Sequence, residues 1–164
     1  MHPKHFSKPG NRKTDFYNCR PYRRRTFAVI KYYNMFTIEQ IKAAHGKMKS
    51  GADFPAYIAA LATMGINTYQ TMVADGTTTY YGSNGHTAAA PPRYAAMPIA
   101  PHSNKEQFLQ NLKQHQQGHT DFLTFCTQTA AAGVEKWIVD IGAMTCTYYD
   151  AAGATVYAEP IPTV

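Results

Sequence analysis

The stretch DFPAYIAALATMGINTYQTMVADGTTTYY, Asp53–Tyr81, decides the reading because it occurs twice: Asp121–Tyr149 runs DFLTFCTQTAAAGVEKWIVDIGAMTCTYY. Asp53 aligns with Asp121, Phe54 with Phe122, Gly65 with Gly133 and Tyr80-Tyr81 with Tyr148-Tyr149, at a constant offset of 68 (121 − 53, 133 − 65, 149 − 81). An internal repeat is read before any local pattern, since one supersecondary unit then accounts for two parts of the chain. The shared punctuation is an Asp able to cap a helix, a Phe behind it, a Gly able to stop the helix, and a Tyr pair on a returning strand.

Within the first copy, Asp53 is expected to cap a helix with Pro55 in its first turn, where a missing N–H costs nothing. Phe54, Tyr57, Ile58 and Leu61 are expected to face inward, and Gly65 to end the element. Ile66–Val73 reads as a strand, Ala74-Asp75-Gly76 as a hairpin turn and Thr77–Tyr81 as the return. Upstream, Thr37-Ile38-Glu39-Gln40 is a capping box, with Phe36 and Ile41 placed as a hydrophobic staple across it. Ile38, Ile41, Ala44, His45 and Met48 continue one apolar stripe, closed by Lys49-Ser50-Gly51. Downstream, Gly82–Pro92 reads as a polar loop and Tyr94–Ile99 as an edge strand, because Pro98 cannot serve a central ladder.

The second copy repeats the order. Ser103-Asn104-Lys105-Glu106 offers a capping box, Phe108, Leu109 and Leu112 the stripe, and Gly118 the stop. Asp121 caps the next helix, with Phe122, Leu123, Phe125 and Cys126 inward and Gly133 as stop. Val134–Ile141 and Thr145–Tyr149 form the hairpin through Gly142-Ala143-Met144. Tyr157-Ala158-Glu159-Pro160-Ile161 matches Tyr94–Ile99 at a shorter offset, which places a longer loop, His86–Arg93, in the first copy alone. The expected fold is α+β: a duplicated helix-helix-strand-strand-strand unit forming one mostly antiparallel sheet, or two abutting three-stranded sheets, covered by four helices with pseudo-two-fold symmetry, since one copy cannot bury its own one-sided elements. A single domain over 35–164 is expected, with copies about 37–100 and 103–162.

The chain carries a net charge of +6, unevenly spread. Residues 1–34 hold nine of the sixteen Lys and Arg and one acid, Asp15, whereas 35–164 hold seven bases and nine acids. The folded domain is therefore mildly acidic, which argues against nucleic acid as its partner. Residues 1–34 read as a basic, disordered extension, with the domain expected to begin at Met35. This extension has no apolar segment of the secretory kind, and no run in the chain approaches the roughly 20 apolar residues of a membrane span. Cys19, Cys126 and Cys146 form no disulfide framework and suit a reducing, cytoplasmic setting.

The segments Ile41-Lys42-Ala43-Ala44-His45, Ser50–Tyr57, Asn104–Phe108, Asp121–Cys126, Glu135-Lys136-Trp137 and Met144–Asp150 resemble the YdfO-like proteins, uncharacterised enterobacterial proteins often found in prophage regions and sometimes labelled phage envelope protein. The likeness spans Met35 to about Pro162. It implies an α+β fold and a prophage setting in a bacterial host, and no reaction.

Candidate chemistry is sparse. His115-x3-His119 with Cys126 and Cys146 has the residue types of a zinc site, but Gly118 breaks the helix between the histidines and neither cysteine belongs to a paired motif. No metal and no cofactor is expected. His119, Asp121 and Cys126 offer a nucleophile reading, yet Asp121 is explained as a cap, and Ile58 stands where Cys126 would act. An enzyme would need a pocket between the copies, with His102, His115 or His119 beside a carboxylate. Tyr81, Trp137 and Tyr149 are candidates for exposed aromatics that anchor a partner. The function these features favour is a non-catalytic protein-binding accessory factor. The alternatives are a virion component, which would show a large apolar surface, and a small enzyme.

Overall fold

The computed structural model describes residues 35–48, 53–83 and 85–162. The expectations for residues 1–34, for Lys49-Ser50-Gly51 and for Cys19 lie outside the described residues.

Helix α1, Ile38–His45, opens with the capping box: Gln40 N–H donates to Thr37 Oγ1 at 3.3 Å and Thr37 N–H to Gln40 Oε1 at 2.9 Å. Phe36 and Ile41, the staple, are both buried. The helix closes earlier than its stripe implies, at His45 with Gly46 as C-cap. Helix α2, Phe54–Thr63, buries Tyr57, Ile58 and Leu61. Strands β1, Ile66–Met72, and β2, Thr78–Gly82, form the hairpin. Strand β3 is Thr87–Ala90. Helix α3, Lys105–Gln116, is capped by Asn104, which accepts from Gln107 N–H at 3.1 Å; the box expected from Ser103 and Glu106 does not form. Helix α4, Phe122–Ala131, leads into β4, Val134–Asp140, β5, Thr145–Asp150, and β6, Thr155–Pro160.

The strands make one antiparallel sheet in the order β3-β2-β1-β4-β5-β6. The repeat is written into its register. Gln70 pairs with Ile138, its own counterpart at offset 68, so the pseudo-two-fold axis passes between these two residues. Tyr69 pairs with Tyr80 and Trp137 with Tyr148, and the same irregularity falls between Ile66 and Thr68 as between Val134 and Lys136. A bulge reproduced at one offset is a feature of the unit rather than a local defect. Gly65 and Gly133 both follow a helix at positive φ, +84° and +75°.

Directly paired residues share a face of the sheet. The buried row Tyr80, Tyr69, Val139 and Cys146 joins the helices' buried side chains in one core. The four helices thus cover one face.

Three expectations are corrected here. The first copy's third strand is Thr87–Ala90 and not Tyr94–Ile99, so the His86–Arg93 region has a counterpart, β6. Tyr94–Ile99 is a non-strand connector docked on the first hairpin, with Arg93 N–H donating to Asp75 O at 2.9 Å and Met97 N–H to Ala74 O at 2.8 Å. Phe54 and Phe122 match each other as expected, but each is half-buried at the core's edge. Leu123 faces solvent at 50% exposure.

Candidate functional site

Of the residues flagged for catalysis, His115, Asp121 and Cys126 make structural contacts, whereas His119 is exposed. His115, near the end of α3, is half-buried with its ring stacked on Phe125 at 4.3 Å, and Nδ1 lies 3.0 Å from Thr120 O and 3.1 Å from Thr120 Oγ1. Burial lowers its pKa, against the Thr120 hydrogen bond and the Asp121 charge. His119 is exposed beyond Gly118, and Gly118 itself has φ +76°. Asp121 is the N-cap of α4, accepting from Thr124 N–H at 2.7 Å, a bond that holds its carboxyl below the ordinary range.

Cys126 is fully buried, and burial pushes its thiol up, which disfavours the thiolate a nucleophile needs. The structure brings His115 and Asp121 together at the α3–α4 turn, while Cys126 neighbours Tyr94 and Arg93 instead. Cys146 is a second buried free thiol, pushed up to about 12 by burial. His102 is exposed, its backbone packed over Gly133. Among the described residues no group of three His, Cys, Asp or Glu could hold a metal ion.

The aromatic candidates separate. Trp137 is buried under the helices, between Phe122, Phe125 and Tyr148, so its place as an exposed anchor is corrected. Tyr81 and Tyr149 lie on the opposite face, Tyr81 at 39% exposure. Among the described residues no helix covers that face. Across its middle run Ala89, Thr79, Gln70, Ile138, Thr147 and Ala158. The rows on either side carry Tyr81, Thr68, Asp140 and Thr145, and Met72, Lys136, Tyr149 and Thr155. Lys136 and Asp140 flank Ile138 on one strand, roughly 13 Å apart at strand rise, and their charges cancel.

A second place was not flagged from the sequence. Tyr57 and Tyr80 turn their hydroxyls toward each other at 3.4 Å beneath α1. Arg93 stacks over the Phe122 ring at 4.0 Å, which ties the connector after β3 to α4. Tyr94 donates to Val73 O at 2.8 Å, and a Cβ on Gly76 would meet its ring, so Gly76 is the notch that seats the connector. Burial lowers the pKa of His45 on α1, and the Arg93 charge lowers it further. In the sequence Arg93 is one arginine in a loop. Only the strand register aligns the residues just before it, Thr87–Ala90, with β6 of the second copy.

A shallow apolar groove of about 410 Å³ also runs between α1 and α2, lined by Ala44, Met48, Tyr57, Ala60 and Met64 among others. Gln40, Lys47 and Asp53 stand along the same groove.

No curated protein matches the chain. The family described as "Protein of unknown function (DUF1398)" matches residues 42–160, from α1 to the end of β6. Most of the chain lies within that match, and the chain belongs to this family.

Proposed function

We propose that the protein is a non-catalytic binding factor whose open sheet face docks a protein partner. One observation carries the reading: the whole second face of a six-stranded sheet lies uncovered among the described residues, while His115, Asp121 and Cys126 serve packing and capping. The face offers threonine hydroxyls, two symmetry-related tyrosines and an isoleucine between a lysine and an aspartate. It suits a partner presenting an apolar side chain flanked by one acid and one base. Opposite charges that cancel give no affinity for a phosphate backbone. A virion component would instead show a broad apolar surface, whereas the large exposed hydrophobics among the described residues are Met35, Tyr81 and Leu123. The resemblance to YdfO-like proteins supports a prophage setting, and the buried free thiols of Cys126 and Cys146 support a reducing, cytoplasmic location.

The test is affinity capture by the full chain from an induced bacterial host, treated with nuclease, beside a Tyr81→Ala/Tyr149→Ala variant and a Leu123→Ala control. A specific partner should survive nuclease and the control and fall at least tenfold with the tyrosine pair, since losing an anchor aromatic costs about 2 kcal/mol or more. Equal capture by the tyrosine variant, or a nuclease-sensitive partner, overturns the reading.

A further inference from the structure

The two charges of the open face stand symmetrically about its centre. Ile138 lies in the middle row beside Gln70, and Lys136 and Asp140 follow two residues to either side on β4. All three are partly exposed, and alternation along the strand points them to one face. Among the described residues Lys136 forms no ion pair. Asp140 Oδ1 accepts from Ala143 N–H at 2.9 Å, and Oδ2 takes no hydrogen bond among the described residues.

The face therefore presents an apolar side chain between a base and an acid, and the partner it suits presents the same. A second copy of the chain does so. Two sheets that pack face to face keep their strands within about 30° of each other, which leaves two directions for a central two-fold axis. With the axis along the strands, Lys136 lies over Met72 of the second copy and Asp140 over its Thr68, and neither charge finds a partner. With the axis along the middle row, Ile138 lies over Ile138 and Gln70 over Gln70. Lys136 then lies over Asp140 of the second copy, and Asp140 over its Lys136. Tyr149 lies over Thr145 and Met72 over Thr68, a large side chain over a small one in each case. Only this second direction satisfies both charges and lets the faces interdigitate.

We propose that the open face docks a second copy of this chain, about a two-fold axis that runs along the middle row. The inference rests on the open face being a docking surface, and it names the occupant. An isologous contact uses one patch twice, with residue i meeting j and j meeting i. Lys136 and Asp140 meet that condition. Six strands at about 4.8 Å spacing and the span of residues 136–140 at about 3.4 Å rise give a face of roughly 29 by 17 Å. Two such faces bury about 1,000 Å² in plan, the size at which a specific interface begins. The charge pairs fix orientation and register, since complementary charges give specificity more than raw affinity.

The experiment is sedimentation of the purified full chain from about 1 μM to about 1 mM. A dimer that dissociates on dilution is expected. Lys136→Glu sets acid over acid at both pairs and should weaken dimerisation at least tenfold. Lys136→Glu/Asp140→Lys restores opposite signs and should recover the dimer. Mixed together, the Lys136→Glu chain and the Asp140→Lys chain should pair with each other and not with themselves. Asp140→Lys gives up the Ala143 bond, and circular dichroism checks that it folds. Asp140→Asn keeps an oxygen for that bond, so Lys136→Glu/Asp140→Asn should dimerise more tightly than Lys136→Glu whether or not the lysine variant folds. A chain monomeric throughout, a dimer indifferent to Lys136→Glu, or folded second-site variants that recover nothing would overturn the proposal. A monomeric chain that captures a host protein through Tyr81 and Tyr149 overturns the second copy and leaves the docking face standing. A monomeric chain whose capture ignores the tyrosine pair overturns both.

Discussion

The two copies share a frame and differ in what the frame holds. Register, bulge, left-handed glycine and inward tyrosine coincide at an offset of 68 residues, with Gln70 facing Ile138 at the centre. The occupants diverge. A buried hydroxyl pair, Thr71 and Thr78 at 3.0 Å, stands where copy two has Val139 and Cys146. Leu61 stands where copy two buries Thr129, whose hydroxyl has no partner among the described residues. Positions that coincide report what the fold requires. Positions that diverge, such as Ala90 against Glu159, report where each copy is filled in its own way.

The largest expected break in that symmetry is at the helix stops. Gly65 and Gly133 adopt the same left-handed backbone, which costs a non-glycine residue about 1–2 kcal/mol. A Cβ on Gly65 meets nothing within 4 Å, whereas a Cβ on Gly133 runs into the backbone of His102 and Ser103. Backbone cannot rotate away as a side chain can, and forced overpacking adds about 1–3 kcal/mol. Gly133→Ala should therefore cost about 2–5 kcal/mol in urea unfolding and Gly65→Ala about 1–2. Equal losses would mean that the connector does not rest on Gly133.

The frame was legible in the sequence and the occupants were not. Spacing of Asp, Phe, Gly and Tyr pair carries element lengths, and element lengths carry register. The third strand was misplaced because Thr87-Ala88-Ala89-Ala90 has little intrinsic strand preference. Pairing with Thr78–Tyr81 decides it, and β-propensity yields to such context. Tyr94–Ile99 looked like the match to Tyr157–Ile161 by residue type, yet Pro98 and its neighbours dock as connector. With the third strand misplaced, Ala90 could not be set against Glu159, and Arg93 stayed one arginine in a loop. Trp137 was placed outward on residue type alone, while its register beside Tyr148 puts it inward.

A smaller difference is expected at the caps. Asp121 has extended backbone and accepts from Thr124 N–H at 2.7 Å. Asp53 has helical backbone and makes no side-chain cap bond, a correction to the expected match. Asp121→Ala should lower stability through the loss of its cap bond, and Asp53→Ala should lower it less. Chemical denaturation of the two variants side by side checks this. A larger loss at Asp53 would show that its carboxylate serves the fold more than a cap does.

The smallest effect expected is in the response to pH, and it separates the copies by their electrostatics. His45 packs edge-on against Tyr57, and His115 stacks on Phe125, the counterpart of Tyr57. Burial lowers the pKa of both histidines. In the unfolded chain each titrates near its ordinary value, about 6.5. The unfolded chain therefore takes up the proton first. Stability is full above about 6.5 and is lost as pH falls from there toward the lowered folded values. Melting temperatures between pH 8 and 5 should show this decline, flattened when both histidines are replaced by Gln. The neighbours differ in sign: the Arg93 charge lowers His45 further, whereas Thr120 and Asp121 raise His115. Arg93→Gln should thus move the His45 titration upward and leave His115 in place, and Asp121→Asn should move His115 downward and leave His45 in place. NMR titration of the imidazole protons reads each ring separately. If either substitution moves both rings, the two copies form one electrostatic unit and the separation argued from Arg93 fails.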